Sequence, residues 1–147
     1  MKRTVTFLIM MLCMFAFAAF ANSVTENARV KDAKERNLSL LARGKRYSLY
    51  ADNNGILYLY YEEDLLFDEV HLYREDGETS KESVQSKMKD ASDAKKVIDS
   101  DYVVYKVDMG LFSSTYFYVK TPKGNFYSVS KKVKTISANA SKLIDEL

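Results

Sequence analysis

Two tyrosine-dense hairpins constrain this chain more than any other feature. The first is YSLYADNNGILYLYY, Tyr47 to Tyr61, in which β-forming runs flank Asp52-Asn53-Asn54-Gly55. Asn and Gly accept positive φ, so the segment turns and the flanking runs pair. With Asn53, Asn54 and Gly55 as the loop, Ala51 lies opposite Leu57, Leu49 opposite Leu59 and Tyr47 opposite Tyr61. That register gathers aliphatics on one face and Ser48, Tyr50, Tyr58 and Tyr60 on the other, and a slip of one residue would mix them. The second hairpin spans Thr115 to Lys134 around Pro122-Lys123-Gly124, where proline presets φ and glycine takes the left-handed position. It pairs Val119 with Tyr127 and Phe117 with Val129, and sets Tyr116, Tyr118 and Phe126 on the opposite face.

Between and around the hairpins, period and punctuation predict the remaining elements. Ser23 and Glu26 fit a capping box, Val30, Ala33, Leu38 and Leu41 form a ragged apolar stripe, and Gly44 suits a helix stop. Residues 22–36 are also polar enough to be a flexible lead-in. Leu65 to Arg74 reads as a third strand. Thr79 and Glu82 open a helix over Ser80 to Ile98, carried by Val84, Met88, Ala91, Val97 and Ile98. Tyr102 to Met109 alternates as a strand, with Val103, Tyr105, Val107 and Met109 on one side. A short terminal helix starts at Ser137 and lines up Ala140, Leu143, Ile144 and Leu147. The expected fold class is therefore α+β: an antiparallel sheet of about six strands, as two three-strand units, with two or three helices packed on one face. A shift of 69 residues superposes Tyr47 on Tyr116, Gly55 on Gly124 and Tyr58 on Tyr127, which raises an internal duplication as a question. The order of elements resembles small bacterial periplasmic folds built from helix-plus-three-strand units, such as PepSY-like or β-lactamase-inhibitor-like domains. The likeness is of topology alone, and no functional residue carries over.

The first residues give the location. MKRTVTFLIMMLCMFAFAAFA has a basic start, an apolar run from Val5 to Phe20 and the small-x-small pattern Ala19-Phe20-Ala21. Residues 1–21 are thus expected to be a secretory signal peptide, with 22–147 a single domain. The rival reading is a retained anchor. Leu12, being large, argues against lipid modification at Cys13. A bacterial protein, periplasmic or secreted and without stable membrane insertion after cleavage, is the expectation.

Cleavage after Ala21 removes Lys2 and Arg3 and leaves 20 basic against 20 acidic residues. A neutral chain lacks the electrostatic footprint of nucleic-acid binding. The charge is segregated, with nine acidic groups and one basic over residues 47–79. Cleavage also removes the single cysteine, so neither disulfides nor thiol chemistry are expected.

Catalytic signals are sparse. His71 is the single histidine; it alternates with Val70 and Leu72 and reads as a sheet residue. No nucleophile elbow or glycine-rich loop accompanies it, so the sequence assigns no catalytic residue, no metal ligand and no cofactor. The acidic segment 62–69, with Glu62, Glu63, Asp64, Asp68 and Glu69, offers paired carboxylates for a small hydrolase or oxygen ligands for calcium. Its plainer reading is a solvated turn that discourages edge pairing. Lys131, Lys132 and Lys134 would blunt a sheet edge in the same way.

The tyrosines remain. Eleven fall after the signal, where there is no tryptophan and four phenylalanines. A six-stranded sheet covered by helices on one face leaves its other face open, and tyrosine suits recognition surfaces. The expectation is an exported, non-enzymatic protein that binds a protein or envelope component through Tyr50, Tyr58, Tyr60, Tyr116, Tyr118 and Phe126. The alternative is the hydrolase or calcium-binding domain built on residues 62–69.

Overall fold

A computed structural model describes residues 23–64 and 67–138. The expected signal peptide lies outside the described residues, as does the expected terminal helix from residue 139 onward, while Ser137, its expected start, is the last residue of a strand. Within them the chain forms two helices and ten strands, arranged as two five-stranded antiparallel sheets. This corrects the expectation of one six-stranded α+β sheet, and with it the topological likeness to helix-plus-three-strand folds.

Helix α1, Val24–Glu35, starts at the expected cap, where the Ser23 hydroxyl accepts a hydrogen bond from the Glu26 amide. It stops well before Gly44. Asn37 adopts a left-handed φ of 56°, and the Asn37 and Leu38 amides donate to the Lys34 and Ala33 carbonyls, a Schellman closure. Leu41 then belongs to strand β1, Ser39–Arg43, and not to a helical stripe. Gly44 is needed for a different reason: a Cβ there would lie 2.2 Å from the Val97 carbonyl oxygen. The first hairpin forms as expected from β2, Tyr47–Ala51, and β3, Leu57–Glu63, with Tyr47 opposite Tyr61, Leu49 opposite Leu59 and Ala51 opposite Leu57. Strand β4, Glu69–Arg74, extends the sheet.

After β5, Gly77–Thr79, comes helix α2, Lys81–Asp90, capped by Ser80. The helix expected to reach Ile98 ends at Ala91, because Asp93–Asp99 is strand β6. Val97 and Ile98 repeat at near-helical spacing from Val84, but adjacent β-branched residues favour the pleated state. Strands β7, Val103–Asp108, β8, Thr115–Lys120, β9, Phe126–Ser128, and β10, Lys131–Ser137, complete the set. Val119 faces Tyr127, and the Val129 amide donates to the Phe117 carbonyl, so the second hairpin also keeps its expected register.

The strand order is β1-β2-β3-β4-β10 in the first sheet and β5-β9-β8-β7-β6 in the second. β4 and β5 are one run of chain interrupted at Glu75-Asp76, and β9 and β10 are one run interrupted at Val129-Ser130. The two runs lie antiparallel, with Arg74 paired to Lys131 and Gly77 to Ser128, and each crosses from one sheet into the other. Side chains satisfy the crossing: Asp76 Oδ1 accepts from the Ser130 amide, and Ser130 Oγ both accepts from the Phe117 amide and donates to its carbonyl. Aligning the caps Ser23 and Ser80 places α1 on α2, β1 on β6, β2 on β7, β3 on β8 and one long run on the other. The halves therefore share an element order, at an offset different from the 69-residue shift.

Packing follows from this topology. Leu49, Leu57 and Leu59 of the first sheet meet Ile98, Val104, Phe117, Val119 and Val129 of the second in a sandwich core. The aliphatic face of the first hairpin thus meets a second sheet, where helices were expected. The helices lie on the outer faces: α1 sets Ala33 against Tyr50, Tyr60, Val70 and Leu72, and α2 sets Val84 against Val107, Tyr118 and Phe126.

Candidate functional site

The six aromatic residues expected to form an open face are covered to differing degrees. Tyr60 has no exposed surface and Tyr50 is buried, their rings edge to face at 5.2 Å beneath α1. Tyr58 is half-buried, with the Arg74 guanidinium 6.0 Å above its ring. On the second sheet Tyr118 and Phe126 are buried beneath α2, and half-buried Tyr116 carries the Lys87 ammonium at 4.4 Å. The register and the face are as expected, away from the aliphatic core, but that face is not open: a helix lies on the outer face of each sheet.

What holds α1 down is polar. Its buried residues are Thr25, Arg29, Asp32 and Ala33, and only one of these is apolar. Arg29 Nη1 donates to the Tyr50 hydroxyl, and Arg29 Nε lies 3.2 Å from Glu62 Oε2, close enough for an ion pair though not aligned as a hydrogen bond. Asp32 accepts from the Tyr60 hydroxyl and pairs with Lys134 and Arg36. Burial pushes the Asp32 carboxyl up, but the hydrogen bonds from Lys134 and Tyr60 and the charge of Arg36 outweigh it and hold the group below the usual carboxylate range. Burial pushes Glu62 above that range, against the pull of Arg29. Sequence reading missed Arg29 and Asp32; their signal is a helix that places Thr25, Arg29, Asp32 and Ala33 at spacings of three and four on one face.

The acidic segment does not act as one group. Alternation along β3 sends Glu62 to the α1 side and Glu63 to the sandwich side. Asp64 pairs with Arg46 at 3.1 Å. Glu63 and Glu69 stand opposite each other on β3 and β4, and their ligand atoms lie with that of His71 within 4.8 Å of one another. Among the described residues this is the one group of three or more histidine, cysteine or carboxylate side chains close enough to share a metal ion. His71 is thus a sheet residue, as expected, but one with two carboxylates beside it.

One apolar feature points outward. In the connection between β7 and β8, Leu111 is 86% and Phe112 100% exposed. Phe112 also holds a left-handed φ of 67°, which a bulky side chain rarely adopts. Phe67, in the connection between β3 and β4, is exposed as well. The sequence marked residues 110–114 as a loop, and two adjacent large apolar residues between Gly110 and Ser113 were the available signal.

Among the described residues no helix is long and apolar enough to cross a membrane. No known protein family, no curated protein and no solved structure matches the chain.

Proposed function

We propose that this chain is an exported, non-enzymatic protein that binds another protein, and that its contact element is the loop Gly110-Leu111-Phe112 in place of the tyrosine faces. The observation that carries this reading is the full exposure of Phe112 beside the nearly full exposure of Leu111. Exposed single apolar residues are ordinary; an adjacent pair at the end of a hairpin, one of them in a strained backbone conformation, suits an anchor that enters a partner's apolar pocket. Residues 107–114 contain one charge, Asp108, and no lysine or arginine. An anionic lipid surface would want basic residues there, so a protein with an apolar pocket is the better match.

Photo-crosslinking in the native host tests this reading. A photoreactive residue at position 112 should give a discrete adduct with one protein, and the same group at exposed Lys123 should not. Equal labelling from both positions, or no adduct from 112, would refute the contact element. Export rests on the leader residues 1–21, and N-terminal sequencing should return Asn22 as the first residue.

A further inference from the structure

The inner face of the first sheet changes character along its length. On β3 it carries Leu57, Leu59, Tyr61 and Glu63, and on β4 the opposed residues Tyr73, His71 and Glu69. The apolar part of this face lies in the sandwich core, and the polar part occupies the end of the same face, where β3 and β4 are about to join. These groups therefore look into the mouth between the sheets and not out from the sheet exterior.

Two carboxylates stand directly across from one another there, a placement that destabilises a sheet unless something between them is positive. Among the described residues the one ion-pair partner of either Glu63 or Glu69 is His71. Its Nε2 lies 3.3 Å from Glu63 Oε2 and 3.5 Å from Glu69 Oε2. For metal–ligand bonds of 2.0–2.2 Å, the edge of a tetrahedral ligand set is about 3.3–3.6 Å. Both nitrogen–oxygen separations are thus already those of ligands sharing one ion.

The imidazole is also oriented from outside the cluster. Thr135 of β10, paired with His71, places Oγ1 3.2 Å from Nδ1, and the Tyr61 ring stacks on the imidazole at 5.6 Å. With Nδ1–H donated to Thr135, the Nε2 lone pair faces the carboxylates, as the outer partner of a ligating histidine arranges.

We propose that Glu63, Glu69 and His71 form a binding site for a divalent first-row transition-metal ion of the zinc class, with Thr135 as the positioning residue. An imidazole and two carboxylates suit such an ion. Calcium, which takes 6–8 oxygens, is poorly served by this set, so the site differs from the calcium loop considered for residues 62–69. Three protein ligands leave a coordination position for solvent or a further ligand. The rival is a proton: an imidazolium clamped by the same two carboxylates would also explain the geometry.

Tag-free protein, stripped with chelator and titrated with ZnCl2, separates the two. One equivalent should bind with a dissociation constant in the micromolar range or tighter, and CoCl2 should give the visible absorption bands of tetrahedral Co2+. His71→Ala and Glu63→Gln, with parental circular dichroism, should each weaken binding at least tenfold, and Thr135→Val about 10–100-fold. Acidification from pH 7.5 to 5.5 should release the metal, since a ligating imidazole must be deprotonated. Absence of one-equivalent binding, or binding unchanged in the folded Glu63→Gln and His71→Ala variants, would overturn the site. Equal binding of CaCl2 would overturn its assignment to the transition metals.

Discussion

The hydroxyl of Tyr60, a residue with no exposed surface, donates to Oδ2 of Asp32 on α1. This bond joins the outer face of the first sheet to the helix that covers it, and it is charged on the acceptor side. Removing the hydroxyl alone, Tyr60→Phe, should cost about 1.5–3 kcal/mol, the range for hydrogen bonds to charged groups. Urea denaturation read by fluorescence would measure it. Replacing Tyr50, Tyr58 and Tyr60 together by serine should abolish folding, because the first and last of these fill the α1 interface.

The same interface sets a pH dependence. A carboxyl whose pKa is raised on folding contributes stability below its unfolded titration, and loses it as pH rises through the folded value; a depressed carboxyl contributes above its unfolded titration and loses it as pH falls through the folded value. Glu62 is the first kind and Asp32 the second. Melting temperature should therefore rise modestly as pH falls from neutral toward the ordinary carboxylate range, then drop at more acid pH. Glu62→Gln should remove the rise, and Asp32→Asn should flatten the acid drop. A parental profile in either variant would show that these groups do not control it.

Gly44 marks where the β1–β2 turn meets β6 of the other sheet. A methyl group there meets a backbone oxygen that has no rotamer to yield, so Gly44→Ala should destabilise by about 1–3 kcal/mol. Thermal unfolding indistinguishable from the parent would mean that the turn and β6 are not in contact in solution.

Phe112 should behave in the opposite sense. Its left-handed φ costs a side-chain-bearing residue about 1–2 kcal/mol, and glycine relieves it. Phe112→Gly should therefore unfold at higher temperature than the parent while failing to co-purify the protein that crosslinks from position 112. A variant that lost both stability and partner would make Phe112 an ordinary packing residue.

Local features were legible in the sequence. The registers of both hairpins follow from turn residues and two-residue alternation, which act over a few residues, and the cap at Ser23 follows from the same short-range chemistry; the second cap lies one residue past the expected Thr79, at Ser80, because Thr79 is paired in β5. Which face of a strand meets water is not local. Leu49 and Tyr50 point to opposite sides, and both are buried, since another sheet covers one side and α1 the other. Alternation in residue type therefore distinguished two kinds of interior, not interior from exterior. Val84, Met88, Ala91 and Ile98 fit one helical period, yet the first three pack in the α2 core and Ile98 of β6 packs in the sandwich core. Glu63, Glu69 and His71 converge only once β3 and β4 pair, so their proximity depends on a connection whose length the sequence did not fix.

The crossing of the two long runs has a consequence for how the molecule comes apart. Each half lends its final strand to the other: β5 completes the sheet of the second half, and β10 completes the sheet of the first. Neither half can melt by itself, because doing so strips an edge from its neighbour, and contacts between residues this distant in the chain form late in folding. Two fragments produced by a cut beside Ser80 would stay clasped together. The same exchange made between two molecules, at high concentration during refolding, would rebuild identical sheets in an interlocked dimer.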